Sequence, residues 1–163
     1  MSADTCPKVG VRPATPADAR RLWEWRNEPG VRSASFSSAP IPFADHERWL
    51  AARLTDPRSA IYIALDDGGR EIGYVRFDVD DDEARISAAI APALRGRGLG
   101  HAAIREGVRA FTAARPDARI VALILRDNRR SETAFLKAGF VPAGGRDVGA
   151  VPAVALRWPA ARS

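Results

Sequence analysis

The sequence predicts one α+β domain in which an antiparallel meander of strands precedes a βαβ unit. Two apolar-rich runs, residues 60–65 and Glu71–Asp80, flank the turn sequence Asp66-Asp67-Gly68-Gly69, which predicts a hairpin. A further strand at residues 84–90 leads into a glycine-rich loop and a helix-forming segment. The apolar run Arg119–Leu125 follows as the next strand, so the second half has the order strand, helix, strand.

The N-terminal third of the chain predicts a short strand followed by two helices. The strand covers residues 8–13, and Thr15 is placed to cap a helix that has a proline in its first turn and ends at Pro29-Gly30. Residues 31–42 are rich in serine and show no helical period, so they predict a loop. The second helix covers Phe43–Leu54, where side chains recur at spacings of three and four residues: His46, Trp49, Leu50, Arg53 and Leu54.

The C-terminal part predicts two more helices and a closing pair of strands. The third helix covers residues 101–115 and has one apolar face. The fourth covers residues 131–138 and ends before Gly139, a natural helix C-cap. Strands at 140–142 and 151–158 then enclose a glycine-rich loop. The expected architecture is a mixed, mostly antiparallel sheet of six to seven strands flanked by four helices.

Length and composition indicate one domain, residues 1–163, that is large enough to bury a core. No apolar run approaches the roughly 20 residues of a membrane span, and the N-terminus has no apolar signal-peptide region, so no membrane partner is expected. The single cysteine, Cys6, is typical of a reducing compartment and predicts a cytoplasmic location. One cysteine and two histidines predict no structural zinc site.

The chain is basic, with a net charge of +5 and an isoelectric point near 10.3. Most of the basic residues are arginines, and lysine occurs only at Lys8 and Lys137. The arginines are scattered and form no basic stripe interleaved with aromatic residues, which argues against a nucleic-acid partner. The charge is therefore better explained by an anionic small ligand.

The loop between the fourth strand and the third helix reads Arg95-Gly96-Arg97-Gly98-Leu99-Gly100. A strand, a glycine-rich turn and a helix in this order present backbone N–H groups at the positive end of a helix dipole, which binds phosphate. The spacing matches neither the G-x-x-x-x-G-K loop of nucleoside triphosphatases nor the G-x-G-x-x-G turn of dinucleotide-binding proteins. The loop therefore predicts a phosphate or diphosphate ligand of another class.

The same loop contains the pattern R-x-x-G-x-G at Arg95, Gly98 and Gly100. After the strand Arg119–Leu125, residues 128–140 read NRRSETAFLKAGF. These two motifs, in this order and with one helix between them, resemble those of the GNAT superfamily of N-acetyltransferases. The resemblance covers nearly the whole chain. It implies the GNAT fold with splayed fourth and fifth strands, acetyl-CoA as the co-substrate, and no metal.

Three segments of the first half point to a branch of this superfamily. They are Trp25-Arg26-Asn27, His46-x-x-Trp49 and the run Ile72 to Asp78. Together they resemble N-acetyltransferases of nucleotide-linked amino sugars, as in the pseudaminic acid pathway. The N-terminal acetyltransferases of ribosomal proteins share a similar outline and remain an alternative, as does a non-catalytic acyl-CoA-binding module.

The resemblance implies which residues bind acetyl-CoA. The N–H groups of residues 96–101 and the loop arginines would hold the diphosphate, and the fourth strand would pair with the extended pantetheine arm. The predicted cofactor-binding residues are Ala88, Ala89, Ile90, Arg95, Gly96, Arg97, Gly98, Leu99, Gly100, Asn128, Ser131 and Phe135.

Two catalytic positions of the superfamily are not matched by this sequence. The tyrosine that often protonates the departing thiolate is replaced by Phe135, and the fourth strand lacks the usual carboxylate. A thiol with a pKa near 8.5 is a tolerable leaving group as the thiolate, and Ser131, Tyr74 or water could take the place of the tyrosine. For the general base we predict His46, because an ordinary histidine pKa near 6.5 suits proton transfer at neutral pH; Asp78 and Glu47 are alternatives.

The acceptor is expected to be a primary amine on a small molecule, with a nucleotide-linked amino sugar as one candidate. The predicted substrate-binding residues are Arg26, Asn27, Arg76 and Asp78, since two arginines can hold a diphosphate through charge-assisted hydrogen bonds. The sequence is compatible with either a monomer or a homodimer, and it does not specify the length of the acyl chain.

Overall fold

A computed structural model describes residues 7–33, 36 and 39–159 of the 163-residue chain, so Cys6 lies outside the described residues. These residues form seven strands, five α-helices and two short 3-10 turns, the latter at Pro16–Asp18 and Pro92–Leu94. In chain order the elements are β1 Gly10–Pro13, α1 Ala19–Asn27, α2 Pro29–Ser33, α3 Phe43–Leu54, β2 Ser59–Leu65, β3 Glu71–Asp80, β4 Glu83–Ile90, α4 Leu99–Ala114, β5 Arg119–Leu125, α5 Arg129–Ala138, β6 Val141–Gly145 and β7 Ala153–Arg157.

The strands form one sheet in the order β1-β2-β3-β4-β5-β7-β6. The neighbours pair antiparallel except for β4 and β5, which are parallel and are joined through α4. The predicted α+β order, with an antiparallel meander before a βαβ unit, is confirmed.

The parallel strands β4 and β5 separate soon after they begin. Their ladder contains the pairs Glu83–Arg119, Ala84–Ile120 and Arg85–Val121 and continues no further. Beyond it β4 stays paired with β3 as far as Ile90, while β5 pairs with β7 on its other side. The predicted splay is therefore present, and it opens a gap in the middle of the sheet.

Each face of the sheet packs against its own set of helices. On one face, α4 packs against β3, and the rings of Phe77 and Phe111 stack with centroids 4.1 Å apart. On the other face, α1 and α3 cover the meander, where Leu22, Leu50 and Ile63 are buried. Successive side chains of β3 point to opposite faces of the sheet. Residues that pack in the core therefore alternate along this strand with residues of the site.

The structure has one helix more than the sequence predicts, because Pro29–Ser33 forms the short helix α2 where we expected a turn and a loop. Pro29 supplies a backbone angle suited to a first helical turn. The carboxylate of Glu28 accepts hydrogen bonds from the N–H groups of Gly30 and Val31, both at 3.0 Å. Five residues are too few to show a helical period, so this helix left no pattern in the sequence.

Several element boundaries also differ from the expected ones. Helix α4 begins at Leu99 and α5 at Arg129, each two residues earlier than predicted, and β6 extends to Gly145. Gly98 is the N-cap of α4 in a left-handed conformation, with φ of 73°. The glycine-rich loop therefore runs directly into the first turn of the helix.

Gly73 permits the close approach of β3 to β4, and we predict that it cannot be replaced. A Cβ at position 73 would lie 2.2 Å from the carbonyl oxygen of Ala89, so Gly73→Ala must displace backbone. We expect a loss of about 1–3 kcal/mol in the free energy of unfolding, measured by urea denaturation. Gly10→Ala is the matched control, since nothing lies within 4 Å of its Cβ and its stability should change by less than about 1 kcal/mol. Equal stabilities of the two variants would contradict the prediction.

Candidate active site

The gap between β4 and β5 opens into a cleft of about 1480 Å³. Its walls come from the end of α1, α2, β3, β4, the glycine-rich loop, and the segment from β5 into α5. Most of the predicted site residues line it: Arg26, Arg76, Asp78, Ala88, Ala89, Ile90, Arg95, Gly96, Gly98, Leu99, Gly100, Asn128, Ser131 and Phe135. Asn27, His46 and Arg97 are not among the lining residues.

One end of the cleft is formed by the glycine-rich loop and the start of α4. Gly96 and Gly98 adopt φ angles of 81° and 73°, which side chains other than glycine rarely tolerate. Nothing lies within 4 Å of a Cβ built on Gly96, so the space above the loop is open. The first N–H groups of α4 have no acceptor within the helix, and they lie at its positive end. This end of the cleft therefore fits a diphosphate.

The middle of the cleft is bounded by the edge of β4 that faces β5. Because the β4–β5 ladder ends at Arg85, this edge from Ile86 to Ile90 has no strand partner in the described part of the chain. Ala88 and Ala89 have small side chains that leave room beside the strand. Such an edge can pair with an extended chain that carries amide groups, as the pantetheine arm of acetyl-CoA does.

The opposite wall of the cleft comes from α5. Asn128 caps this helix, its side-chain oxygen accepting the N–H of Ser131 at 3.3 Å. Ser131 is half-buried and lines the cleft. Phe135 also lines it but is 3 % exposed, and its ring packs edge-on against Phe140 with centroids 5.1 Å apart.

The far end of the cleft carries a dense group of arginines. Arg76 and Asp78 on β3 share a sheet face with Arg85 on β4, since the register pairs Asp78 with Arg85. Arg26 reaches the same region from α1, and its guanidinium lies 4.1 Å from the ring centroid of Trp49. Arg76 approaches the same ring at 5.2 Å.

This arginine group has little negative charge around it. Asp78 accepts hydrogen bonds from Arg76 at 2.9 Å and from Arg53 at 3.3 Å. It is the one acidic side chain that α1, α2, β3 and β4 contribute to the cleft within the described residues. Burial, followed by repulsion from Arg76, lowers the pKa of both Arg26 and Arg85. The region therefore carries positive charge that an anionic ligand would neutralise.

His46 lies behind Arg26 and is fully buried, with no exposed surface. Its Nδ1 is 3.2 Å from a terminal nitrogen of Arg26, which can only donate, so Nδ1 accepts and the ring proton is on Nε2. Nε2 has no hydrogen-bond partner in the part of the chain that the structure describes. Burial, with a smaller effect of the Arg26 charge, lowers the pKa of His46 from 6.5 to about 4.

Asn27 and Arg97 are not among the lining residues, for different reasons. The side-chain amide of Asn27 donates to the carbonyl of Ile41 at 3.0 Å and accepts its N–H at 2.7 Å. Asn27 thus ties the end of α1 to the segment before α3. Arg97 is exposed on the loop.

A family model for an acetyltransferase (GNAT) domain matches residues 8–141. The chain belongs to this family. Members of this family transfer the acetyl group of acetyl-CoA to an amine, and the predicted resemblance to this superfamily is confirmed. No functionally curated protein sequence is detectably similar to the chain.

Solved structures share the fold over nearly the whole length. The aminoglycoside acetyltransferase AAC(6')-Ib, bound to ribostamycin and coenzyme A, is 24% identical with a TM-score of 0.81, and 93% of each chain is covered. Spermidine N-acetyltransferase from Vibrio cholerae, bound to coenzyme A and spermine, is 17% identical with a TM-score of 0.78, covering 91% of this chain and 92% of that one. An uncharacterized protein from Bacillus halodurans is 20% identical with a TM-score of 0.77, covering 93% of this chain and 84% of that one. The first two are an aminoglycoside and a spermidine acetyltransferase, and so do not point specifically to the nucleotide-sugar or ribosomal-protein branch.

None of the helices among the described residues is long and apolar enough to cross a membrane. Across the same residues, no group of three or more histidine, cysteine, aspartate or glutamate side chains is placed to hold a metal ion.

Sequence reasoning missed two residues of the site. Every second side chain of a strand points to the same face, so Arg85 shares a face of β4 with Ser87 and Ala89. This alternation was visible in the sequence and would have assigned Arg85 to the acceptor face of the cleft. Glu28 binds the side chain of Arg95 at 2.9 Å across 67 residues of sequence, and no local pattern indicates such a contact.

We predict that His46 makes the stability of the protein depend on pH. The unfolded chain, with a histidine pKa near 6.5, binds a proton before the folded protein, where the pKa is about 4. The free energy of unfolding therefore falls as the pH drops from 6.5 towards 4, by at most roughly 3 kcal/mol. His46→Asn keeps an acceptor for Arg26 but cannot titrate, so urea denaturation at several pH values should show a shallower slope for the variant. Identical slopes would contradict the prediction.

Proposed function

We propose that this acetyltransferase acetylates the primary amine of an anionic small molecule, with a nucleotide-linked amino sugar as the first candidate. The observation that carries the proposal is the charge at the far end of the cleft. There Arg26, Arg76 and Arg85 line the wall, and the nearby carboxylate, Asp78, is already hydrogen-bonded to two arginines.

The residues around the loop and β4 are proposed to bind acetyl-CoA, whose thioester carbonyl is open to direct attack by an amine. The N–H groups of residues 96–101 would hold the diphosphate, helped by Arg97. The backbone of Ala88 to Ile90 would pair with the pantetheine arm and offer an N–H group to the thioester oxygen. Asn128 and Phe135 would form the facing wall.

The acceptor is proposed to bind through Arg26 and Arg76, because guanidinium groups form strong paired hydrogen bonds with phosphate and carboxylate. Trp49 holds both guanidiniums by cation–π contacts, which restricts their movement before the acceptor arrives. Asp78 orients Arg76, and Asn27 supports Arg26 indirectly by fixing the end of α1. Polycationic amines would meet repulsion at this wall.

Proton transfer is assigned to groups that line the cleft. Ser131 faces it from α5 and is proposed to deliver a proton to the departing thiolate, with Tyr74 or water as the alternatives. His46 remains a predicted base by residue type, but its burial and low pKa support a different role, in which it orients Arg26. On this proposal the amine loses its proton to water in the cleft.

A non-catalytic acyl-CoA-binding module is the second candidate, and Phe135 in the position of the usual tyrosine is the observation that favours it. Thiol release from acetyl-CoA in the presence of different amines separates the candidates. The panel should contain nucleotide-linked amino sugars, aminoglycosides, polyamines and peptides with free N-termini. Release with the anionic amines alone supports the proposal. Release with basic peptides or polyamines contradicts it, and thermal stabilisation by acetyl-CoA without release from any amine supports the binding module.

We predict that Arg26→Gln and Arg76→Gln each raise KM for an anionic acceptor by about 10- to 100-fold, the usual effect of losing a charge-assisted hydrogen bond. KM for acetyl-CoA should stay within about threefold, because the two side chains contact His46, Trp49 and Asp78 rather than the loop. Steady-state kinetics gives KM for the acceptor at saturating acetyl-CoA, and KM for acetyl-CoA at a saturating acceptor concentration. Arg70→Gln is the control, since this exposed arginine lies in the β2–β3 turn away from the cleft. A uniform loss with charged and uncharged amines alike would show that the two arginines do not recognise the anion.

A further inference from the structure

Arg95, the first residue of the R-x-x-G-x-G motif, contacts the protein itself rather than the open loop. A terminal nitrogen of its guanidinium lies 2.9 Å from the carboxylate of Glu28. Its Nε donates to the carbonyl of Ile90 at 3.3 Å. Both side chains of the ion pair are 24 % exposed. The guanidinium is thus held between the end of β4 and the corner that joins α1 to α2.

Glu28 forms several hydrogen bonds at the corner between α1 and α2. Besides Arg95, its carboxylate accepts the N–H groups of Gly30 and Val31, which begin α2. The hydrogen bond from the N–H of Gly30, then that from Arg95, and to a smaller extent that from Val31 lower the pKa of Glu28, so the carboxylate is ionised near neutral pH. One terminal nitrogen of Arg95 lies 3.1 Å from the position of a Cβ on Gly30, which shows how closely the guanidinium fits against α2.

The ion pair connects two walls of the cleft. Arg95 belongs to the loop that is proposed to bind the diphosphate of acetyl-CoA, whereas residues 30–33 of α2, which follow Arg26 closely in the chain, line the same cleft from another side. A carboxylate 2.9 Å away also neutralises most of the attraction that Arg95 could offer a diphosphate. If Arg95 turned to the phosphates, Glu28 would lose its cationic partner and keep only its two backbone hydrogen bonds.

From this geometry we infer that Arg95 is a positioning residue: the Glu28–Arg95 ion pair links the acetyl-CoA loop to α2, so that binding of coenzyme A orders the acceptor end of the cleft. The inference rests on the proposed binding of the acceptor at Arg26, which lies in the last turn of α1 just before α2, and not on the acceptor's charge. Coupling of this kind is reciprocal, so the acceptor must tighten coenzyme A by the same factor by which coenzyme A tightens the acceptor.

Three variants test the inference: Glu28→Gln, Arg95→Gln and the double variant. Coenzyme A affinity is measured by calorimetry, and amide hydrogen exchange is followed in the peptide covering residues 26–33, with and without coenzyme A. In the wild type we expect coenzyme A to slow exchange in this peptide severalfold. Each single variant should lose that protection while its Kd for coenzyme A changes by less than threefold. The double variant should resemble the singles, because both remove the same contact.

Two results would overturn the inference. The first is a loss of tenfold or more in coenzyme A affinity for Arg95→Gln with unchanged or tighter binding for Glu28→Gln, as expected if Arg95 binds the diphosphate directly. The second is the absence of protection at residues 26–33 in the wild type. Asp82→Asn is the matched control: it breaks an arginine–carboxylate pair of the same 2.9 Å length outside the cleft, and it should change neither quantity. The hydrogen-exchange measurement needs no acceptor, so its result is independent of which amines the protein acetylates.

Discussion

The separation of β4 from β5 after three residue pairs is the constraint on which the site depends. Where two strands separate inside a sheet, the N–H and C=O groups along the gap need other hydrogen-bond partners. In this protein β4 and β5 meet that requirement in different ways. β5 takes β7 as its partner, so its backbone is satisfied. β4 remains held by β3 alone, and the absence of a side chain at Gly73 lets the two strands approach closely next to Ala89. The open edge of β4 is then available to a ligand, and the glycine-rich loop at its end meets the same ligand with the N-terminus of α4.

The parts of this arrangement that sequence reasoning recovered are those encoded locally. Strands β3 and β5 and helix α3 have the predicted bounds. The glycine loop was recognisable since positive φ angles at Gly96 and Gly98 demand glycine. Helix α2 was missed because five residues carry no period, and its main support is a single capping carboxylate at Glu28. The partner of that carboxylate, Arg95, lies far along the chain, and only the folded sheet brings the two together.

His46 illustrates the difference between identifying a residue and identifying its role. A histidine on an amphipathic helix near a suspected acceptor site suggests a base, because its ordinary pKa is near neutrality. In the folded protein α3 presents the ring to the interior, where burial and the charge of Arg26 keep it neutral. A neutral ring can accept a hydrogen bond from Arg26, and a protonated one cannot. The lowered pKa, which counts against proton transfer at neutral pH, thus suits a residue that orients a guanidinium.

The same positive charge also bears on how an amine could react without a dedicated base. An ammonium group about 5 Å from one guanidinium is repelled by roughly 3 kcal/mol at an effective dielectric constant of about 20, which lowers its pKa by about two units. A wall that contains Arg26, Arg76 and Arg85 therefore favours the neutral, nucleophilic form of the amine. An acceptor with no other charge would bind weakly, because nothing would hold it against the repulsion between its ammonium group and the arginines. In an acceptor that also carries a phosphate or carboxylate, the arginines attract the anionic group and lower the pKa of the amine. The arginine group and the missing base therefore have a common physical explanation.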